Sequence, residues 1–138
     1  MKLDKQKIKQ RISEIRESLK EIKRLVSIDE KEFWSKKENI AAVKYYLLQA
    51  IESTGSICVH IAAKKFNRGI SFFGECFEVL EKEGFLDKKL SIELRKMVKF
   101  RNKLMHRYWE VENKNILEYT KEDLKDFEDF IKAIKKLL

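Results

Sequence analysis

At 138 residues the chain has room for one domain with a buried core, and not for several. It holds no run of about eighteen apolar residues, and its first residues, Met1 to Lys5, turn polar at once. Neither a membrane span nor a signal-peptide core is therefore expected, and the protein is read as cytoplasmic. A formal net charge of +8 favours a polyanionic partner, RNA or an acidic protein surface. With no proline, only four glycines and heavy use of Lys, Glu, Leu and Ile, the composition points to an all-α protein.

The first helix is expected over about 4–26. Ile8, Ile12, Ile15, Leu19, Ile22 and Val26 alternate spacings of four and three, and Lys, Arg and Glu fill the other faces. Such a narrow seam suits a bundle, or alternatively a dimer contact. Residues 27–37 break the pattern and read as a linker with room for a turn of helix, Phe33 and Trp34 packing back on the bundle. The second helix, about 38–65, pairs a broad apolar face (Ile40, Val43, Leu47, Ile51, Ile57, Ile61) with small residues such as Ala41, Ala42 and Gly55, and reads as the central helix. His60 on it reads as a core or boundary residue, Tyr45 and Tyr46 as core edge. Cys58 and Cys76 lack metal-like spacing and read as small buried hydrophobes.

Asn67 and Gly69 are stop signals, and Ser71 is the expected N-cap of a short third helix ended by Gly84, with Phe85 and Leu86 stapling the turn. Asp87 opens a fourth helix over about 88–107. Glu110 and Glu112 then turn the chain, with Asn113 or Asn115 capping the next segment. Thr120 and Asp123 form a variant capping box for the last helix, whose Leu124, Phe127, Ile131, Ile134 and Leu138 repeat the three-four spacing. The expected architecture is an all-α antiparallel bundle of four to five helices, one domain over 1–138.

The end of the fourth helix carries the chemistry. Arg101-Asn102-Lys103-Leu104-Met105-His106-Arg107-Tyr108 gathers cations, an amide, one of two histidines and a tyrosine just after an apolar pattern. Histidine titrates nearest neutrality, so His106 can take a proton from a ribose hydroxyl or give one to a leaving oxygen. Arg101 offers a planar fork for a phosphate whose charge grows in the transition state. Asn102 shares a helix face with His106 and can orient the ring or bind substrate. Arg101 and His106, five apart, diverge by roughly 140° in a straight helix. Either the helix loosens near His106 or a second copy completes the site across a two-fold axis. With the ribose hydroxyl as internal nucleophile no metal is required, and no cofactor is expected. Lys99, Lys103 and Arg107 extend the cationic surface along which an RNA backbone can lie. The plainer alternative is a helix end whose cations complement the dipole.

The segment Arg101 to Val111, with Phe77 to Gly84 upstream, resembles the HEPN superfamily and within it the HepT-like branch. The resemblance implies an all-helical, dimeric, metal-independent endoribonuclease that acts as the toxin of a toxin–antitoxin pair. It implies a minimal nucleotidyltransferase antitoxin as partner, which adds adenylyl groups from ATP to the motif tyrosine. It further implies Arg101 and His106 as catalytic, Asn102 as supporting and Tyr108 as the modification target. An adenylyl group two residues from His106 would compete with RNA for the same cations. Trp109 is expected to serve packing. Two other readings are a non-catalytic helical module that binds a nucleotidyltransferase or presents its substrate, and a basic RNA-binding protein without chemistry.

Overall fold

A computed structural model of the chain describes residues 2–138 and, of Tyr108, the backbone alone. Among the described residues there are seven α-helices and one 3-10 turn, and no strand: α1 (Lys5–Val26), α2 (Glu30–Ser35), α3 (Lys37–Phe66), α4 (Phe73–Lys82), α5 (Lys88–His106), the turn Tyr108–Glu110, α6 (Asn113–Glu122) and α7 (Lys125–Lys135). The all-α bundle stands, with more helices than the four or five expected. No helix among the described residues is long and apolar enough to cross a membrane.

The seam of α1 faces the core as its spacing dictates: Ile8, Ile12, Ile15, Leu19 and Ile22 are buried, with Leu25 rather than Val26 closing the stripe. Asp4 caps the helix, its side chain accepting from the Lys7 N–H at 3.0 Å. Its own N–H donates to His60 Nε2 at 3.0 Å, which fastens the start of α1 to the far half of α3. Ser53 donates to Glu14 at 3.0 Å further along, so α1 and α3 run antiparallel. α2 docks the linker through buried Phe33; Trp34, expected to pack with it, is instead exposed and meets Phe33 edge-on. Burying a ring such as Phe33 contributes about 1.5–3 kcal/mol, enough to order a six-residue helix that would not hold alone.

α3 is the central helix: α1, α4 and α5 all pack on it, and α6 and α7 touch it. It ends at Asn67, whose backbone is left-handed (φ 54°, ψ 41°), with the Arg68 N–H returning to the Ala62 carbonyl. Gly84 (φ 83°) ends α4 in the same way, the Phe85 N–H returning to Leu80, and buried Leu86 secures the turn into α5. Asp87 caps α5, accepting from the Leu90 N–H at 2.7 Å.

Three capping expectations fail. Ser71 lies outside α4, which starts at Phe73 without a side-chain cap, and its N–H donates instead to Glu75. Asn113 and Asn115 fall inside α6 rather than ahead of it. Thr120 is buried within α6 and donates to the Leu117 carbonyl at 2.7 Å, so it caps nothing, while Asp123 is the C-cap residue of that helix. Hydroxyls that bond back within a helix compete with the capping geometry their sequence spacing suggests.

Candidate active site

Arg101 projects from α5 toward α3 and α4 and is held on three sides. Its Nε donates to Glu52 Oε1 on α3, against which Nη2 also lies, and Nη1 donates to Asn102 Oδ1 at 2.8 Å. The guanidinium stands over the Phe73 ring of α4, 5.2 Å from its centroid, within cation–π range. Phe73 can lie there because α3 carries glycine at position 55. A Cβ on Gly55 would meet the Phe73 ring at 2.4 Å. A guanidinium has five N–H donors; the inner edge is committed and outer N–H groups on Nη1 and Nη2 remain for a ligand.

Arg101 lines a cleft of about 420 Å³ together with Phe72, Phe73, Glu78, Lys99 and Asn102 among others. Lys99 is exposed on this cleft and forms no salt bridge among the described residues. Neighbouring Arg95 is already paired with Glu78 at 3.1 Å and Glu81 at 3.6 Å.

His106 is the last residue of α5 and is exposed, with no side-chain hydrogen bond or ion pair among the described residues. The helix stays α-helical through His106, so the loosening that would let Arg101 and His106 meet does not occur. Five residues of α-helix separate them by roughly 7.5 Å of rise and 140° of direction. One copy therefore brings Arg101 and Asn102 together and leaves His106 apart; the Asn102 amide oxygen turns to Arg101 rather than to the imidazole.

After His106 the chain leaves the helix at Arg107 (φ −144°, ψ 44°), whose N–H returns to the Lys103 carbonyl at 2.8 Å. Lys103 and Arg107 are exposed. The Arg107 contact with Glu110, 3.9 Å between solvated side chains, contributes little. The side chain of Tyr108, expected as the modification target, lies outside the described residues; its backbone starts the 3-10 turn. Trp109, expected to serve packing, is 71% exposed.

Glu52 was missed from sequence although a signal existed: it is the only acidic residue between Glu38 and Glu75, set in an apolar run. Phe73 and Gly55 gave none, since each also reads as ordinary core.

A second polar grouping lies toward the other end of α5. Glu93, Asp123 and Asp126 each offer a carboxylate oxygen within 4.8 Å of the others, close enough to hold a metal ion. Burial, then Glu93 and Asp123, push the Asp126 carboxyl above its ordinary range. Burial and the same carboxylates raise the Tyr119 phenol. Cys58 and Cys76 are buried side by side between α3 and α4; burial first, and then Cys76, raise the Cys58 thiol. This keeps it an inert packing group.

The family model for ribonuclease HepT-like proteins matches residues 15–134. No curated protein matches the chain. Among solved structures, a tri-AMPylated HEPN toxin from Shewanella oneidensis in complex with MNT antitoxin superposes with TM-score 0.87 at 26% identity, over 94% of this chain and 97% of that one. A toxin–antitoxin structure with AMP-PNP gives TM-score 0.85 at 26% identity, covering 93% and 97%. The cytosolic protein YutE of Bacillus subtilis, of unknown function, shares the fold at 18% identity, with TM-score 0.82 over 99% and 91%. With the family match spanning nearly all of α1 to α7, the chain belongs to the ribonuclease HepT-like family.

Proposed function

We propose that this protein is a metal-independent endoribonuclease, the toxin half of a toxin–antitoxin pair. The observation that carries the reading is the fixed guanidinium: Glu52, Asn102 and Phe73 hold Arg101 at a cleft with donors to spare, on the helix that ends in His106. Family membership supports it. In this reading the ribose 2′-oxygen attacks phosphorus and the P–O5′ bond breaks, leaving a 2′,3′-cyclic phosphate and a 5′-hydroxyl. His106 takes the 2′-hydroxyl proton or supplies one to the departing oxygen. Arg101 meets the charge that grows on the phosphate, and Asn102 keeps the guanidinium aimed.

Because one copy keeps His106 and Arg101 apart, the site is composite. Two chains about a two-fold axis set the imidazole of one beside the guanidinium of the other. The partner that silences the site is a minimal nucleotidyltransferase antitoxin, in line with the toxin–antitoxin complexes of the similar structures. Adenylylation of Tyr108 puts a bulky anion two residues from His106, where it excludes the RNA phosphate by occupancy and repulsion.

The test is incubation of the full chain with total RNA in chelator, beside His106→Ala. Wild type is expected to cut RNA to 2′,3′-cyclic phosphate ends, and the variant to lose about 10²–10⁴ in rate with an unchanged circular dichroism spectrum. Intact RNA with an unmodified, dimeric wild-type protein moves the reading to a non-catalytic module that binds the nucleotidyltransferase.

A further inference from the structure

Phe72 and Phe73 are consecutive, and the backbone separates their tasks. Phe72 is extended (φ −153°, ψ 153°), a conformation in which successive side chains point to opposite sides. Phe73 turns inward, into the gap at Gly55 and under Arg101. Phe72 is left 65% exposed at the edge of the cleft beside Arg101, among the most exposed large apolar side chains of the chain. Gly74 follows, and a Cβ there would come to 3.7 Å from the Phe72 ring, so the glycine leaves that side of the ring open.

Beside the ring the cleft mixes apolar Phe73 and Val98 with Arg95, Lys99, Arg101 and Asn102, and Glu78, already paired with Arg95, is its one carboxylate among the described residues. Lys99 forms no salt bridge among the described residues, Arg101 and Asn102 lie beside it, and the volume of about 420 Å³ suits a small ligand. An aromatic face next to cations is how proteins seat unpaired nucleotides, the base stacking while the backbone phosphate meets the charge.

We infer that this cleft is a binding subsite for one unpaired nucleotide of the RNA substrate, its base stacked on Phe72 and its phosphate on Lys99 and Arg101. The inference deepens the ribonuclease reading and rests on it. It makes the substrate single-stranded at the nucleotide next to the cut, because a base held in a duplex has no free face for the ring.

The probe is a short RNA carrying one 2-aminopurine, whose fluorescence is quenched on stacking, titrated into the full-length His106→Ala protein so that it is bound and not cut. Phe72→Leu keeps an apolar side chain and removes the π face. It is expected to lose the quench and weaken binding about 5- to 150-fold, the scale of one base–aromatic stack, while Phe72→Trp retains both. Duplex RNA is expected to bind weakly and alike to all three. Equal quench and affinity for Phe72→Leu overturn the subsite, as does a shift of that variant from dimer to monomer in sedimentation with RNA affinity intact, which would assign the ring to a protein contact. If the wild type cleaves RNA but Phe72→Leu binds normally, the subsite falls alone. If Phe72-dependent quenching persists and the unmodified wild type never cuts, the ribonuclease reading falls alone.

Discussion

The two ends of α5 carry opposite charges and treat them in opposite ways. Glu93 and Arg101 are eight residues apart, about 12 Å of helix. Near Glu93, three carboxylates converge with Asp126 only 7% exposed, and burial together with Glu93 and Asp123 raises the Asp126 pKa. Near Arg101 a single cation receives a carboxylate, an amide oxygen and an aromatic face, and still keeps donors toward a cleft. A cleft of about 610 Å³ also opens at the acidic end, among Lys89, Lys125, Lys132 and other residues, so neither cavity size nor charge density separates the two. The separation lies in fixed geometry. A cation whose inner edge is tied and whose outer edge is free is prepared for an anion, whereas crowded carboxylates mark a place where folding opposes ionisation.

The contrast is broken most directly at Arg101. Arg101→Lys keeps the charge and discards the fork, so cleavage of a short RNA is expected to fall about 10²–10³-fold in initial rate. A loss under tenfold would show that point charge suffices and that the Glu52 and Asn102 ties are incidental. Glu52→Gln sharpens the same point: with the ion pair gone the guanidinium wanders, and kcat is expected to fall more than KM changes. A lower KM at constant kcat would mean that Glu52 competes with RNA for Arg101 rather than aiming it.

Gly55→Ala tests the packing beneath that geometry. In an ordinary helix interior the change stabilises by about 0.5–1 kcal/mol. Here the new Cβ would meet the Phe73 ring at 2.4 Å, so a loss of about 1–3 kcal/mol is expected instead, the usual cost of overpacking. It reads out as a Tm lowered by several degrees and a slower ribonuclease. A raised Tm would show that Phe73 does not lodge against α3 at that point.

How much of the molecule was legible in the sequence differs between the helices and the site. The seam of α1, the width of α3 and the Asp87 cap derive from periodicity and local hydrogen bonding, and all three stand, save that Leu25 replaces Val26 at the end of the seam. α6 was hidden because Asn113, Asn115 and Thr120 are residues that favour caps, and only burial of Ile116, Leu117 and Thr120 decides that they lie within a helix. The segment 101–108 was visible by residue type, but its internal arrangement was not. Asn102 is turned from His106 to Arg101 by a contact between sequence neighbours that helix-face reasoning overlooks. Glu52, 49 positions upstream of Arg101, enters through the antiparallel path of the chain, which no local pattern encodes.

At the acidic end of α5 stability is expected to depend on pH. The folded state holds a proton on Asp126 more tightly than the unfolded chain does, since burial and the neighbouring carboxylates raise its pKa from the ordinary 3.8. Stability from this group is therefore present at low pH and is lost as pH rises through 3.8 and the raised folded value. Asp126→Asn removes the penalty. The variant is expected to be more stable than wild type at neutral pH, on the order of 1 kcal/mol, with the gain shrinking toward about pH 4. A thermal melt series across that window checks it, and a less stable variant at neutral pH would mean that a bound cation, not repulsion, governs the cluster.

The smallest expected effect sits where α1 meets α3, and its sign is the reverse. His60 is neutral when it accepts the Asp4 N–H, and burial, then Lys7, lower its pKa from the ordinary 6.5. The unfolded chain thus takes up the proton first as pH falls. The contribution of His60 is present above 6.5 and is lost as pH drops through 6.5 and the lowered folded value. His60→Ala is expected to cost about 0.5–1.5 kcal/mol at pH 8, the net worth of one hydrogen bond, and progressively less toward pH 5. Melting curves of variant and wild type should therefore converge on acidification, opposite to the wild-type gain that Asp126 brings. Curves that stay parallel across this range would mean that the Asp4 N–H finds an equal partner in water, and that the fastening of α1 to α3 rests on the buried seam alone.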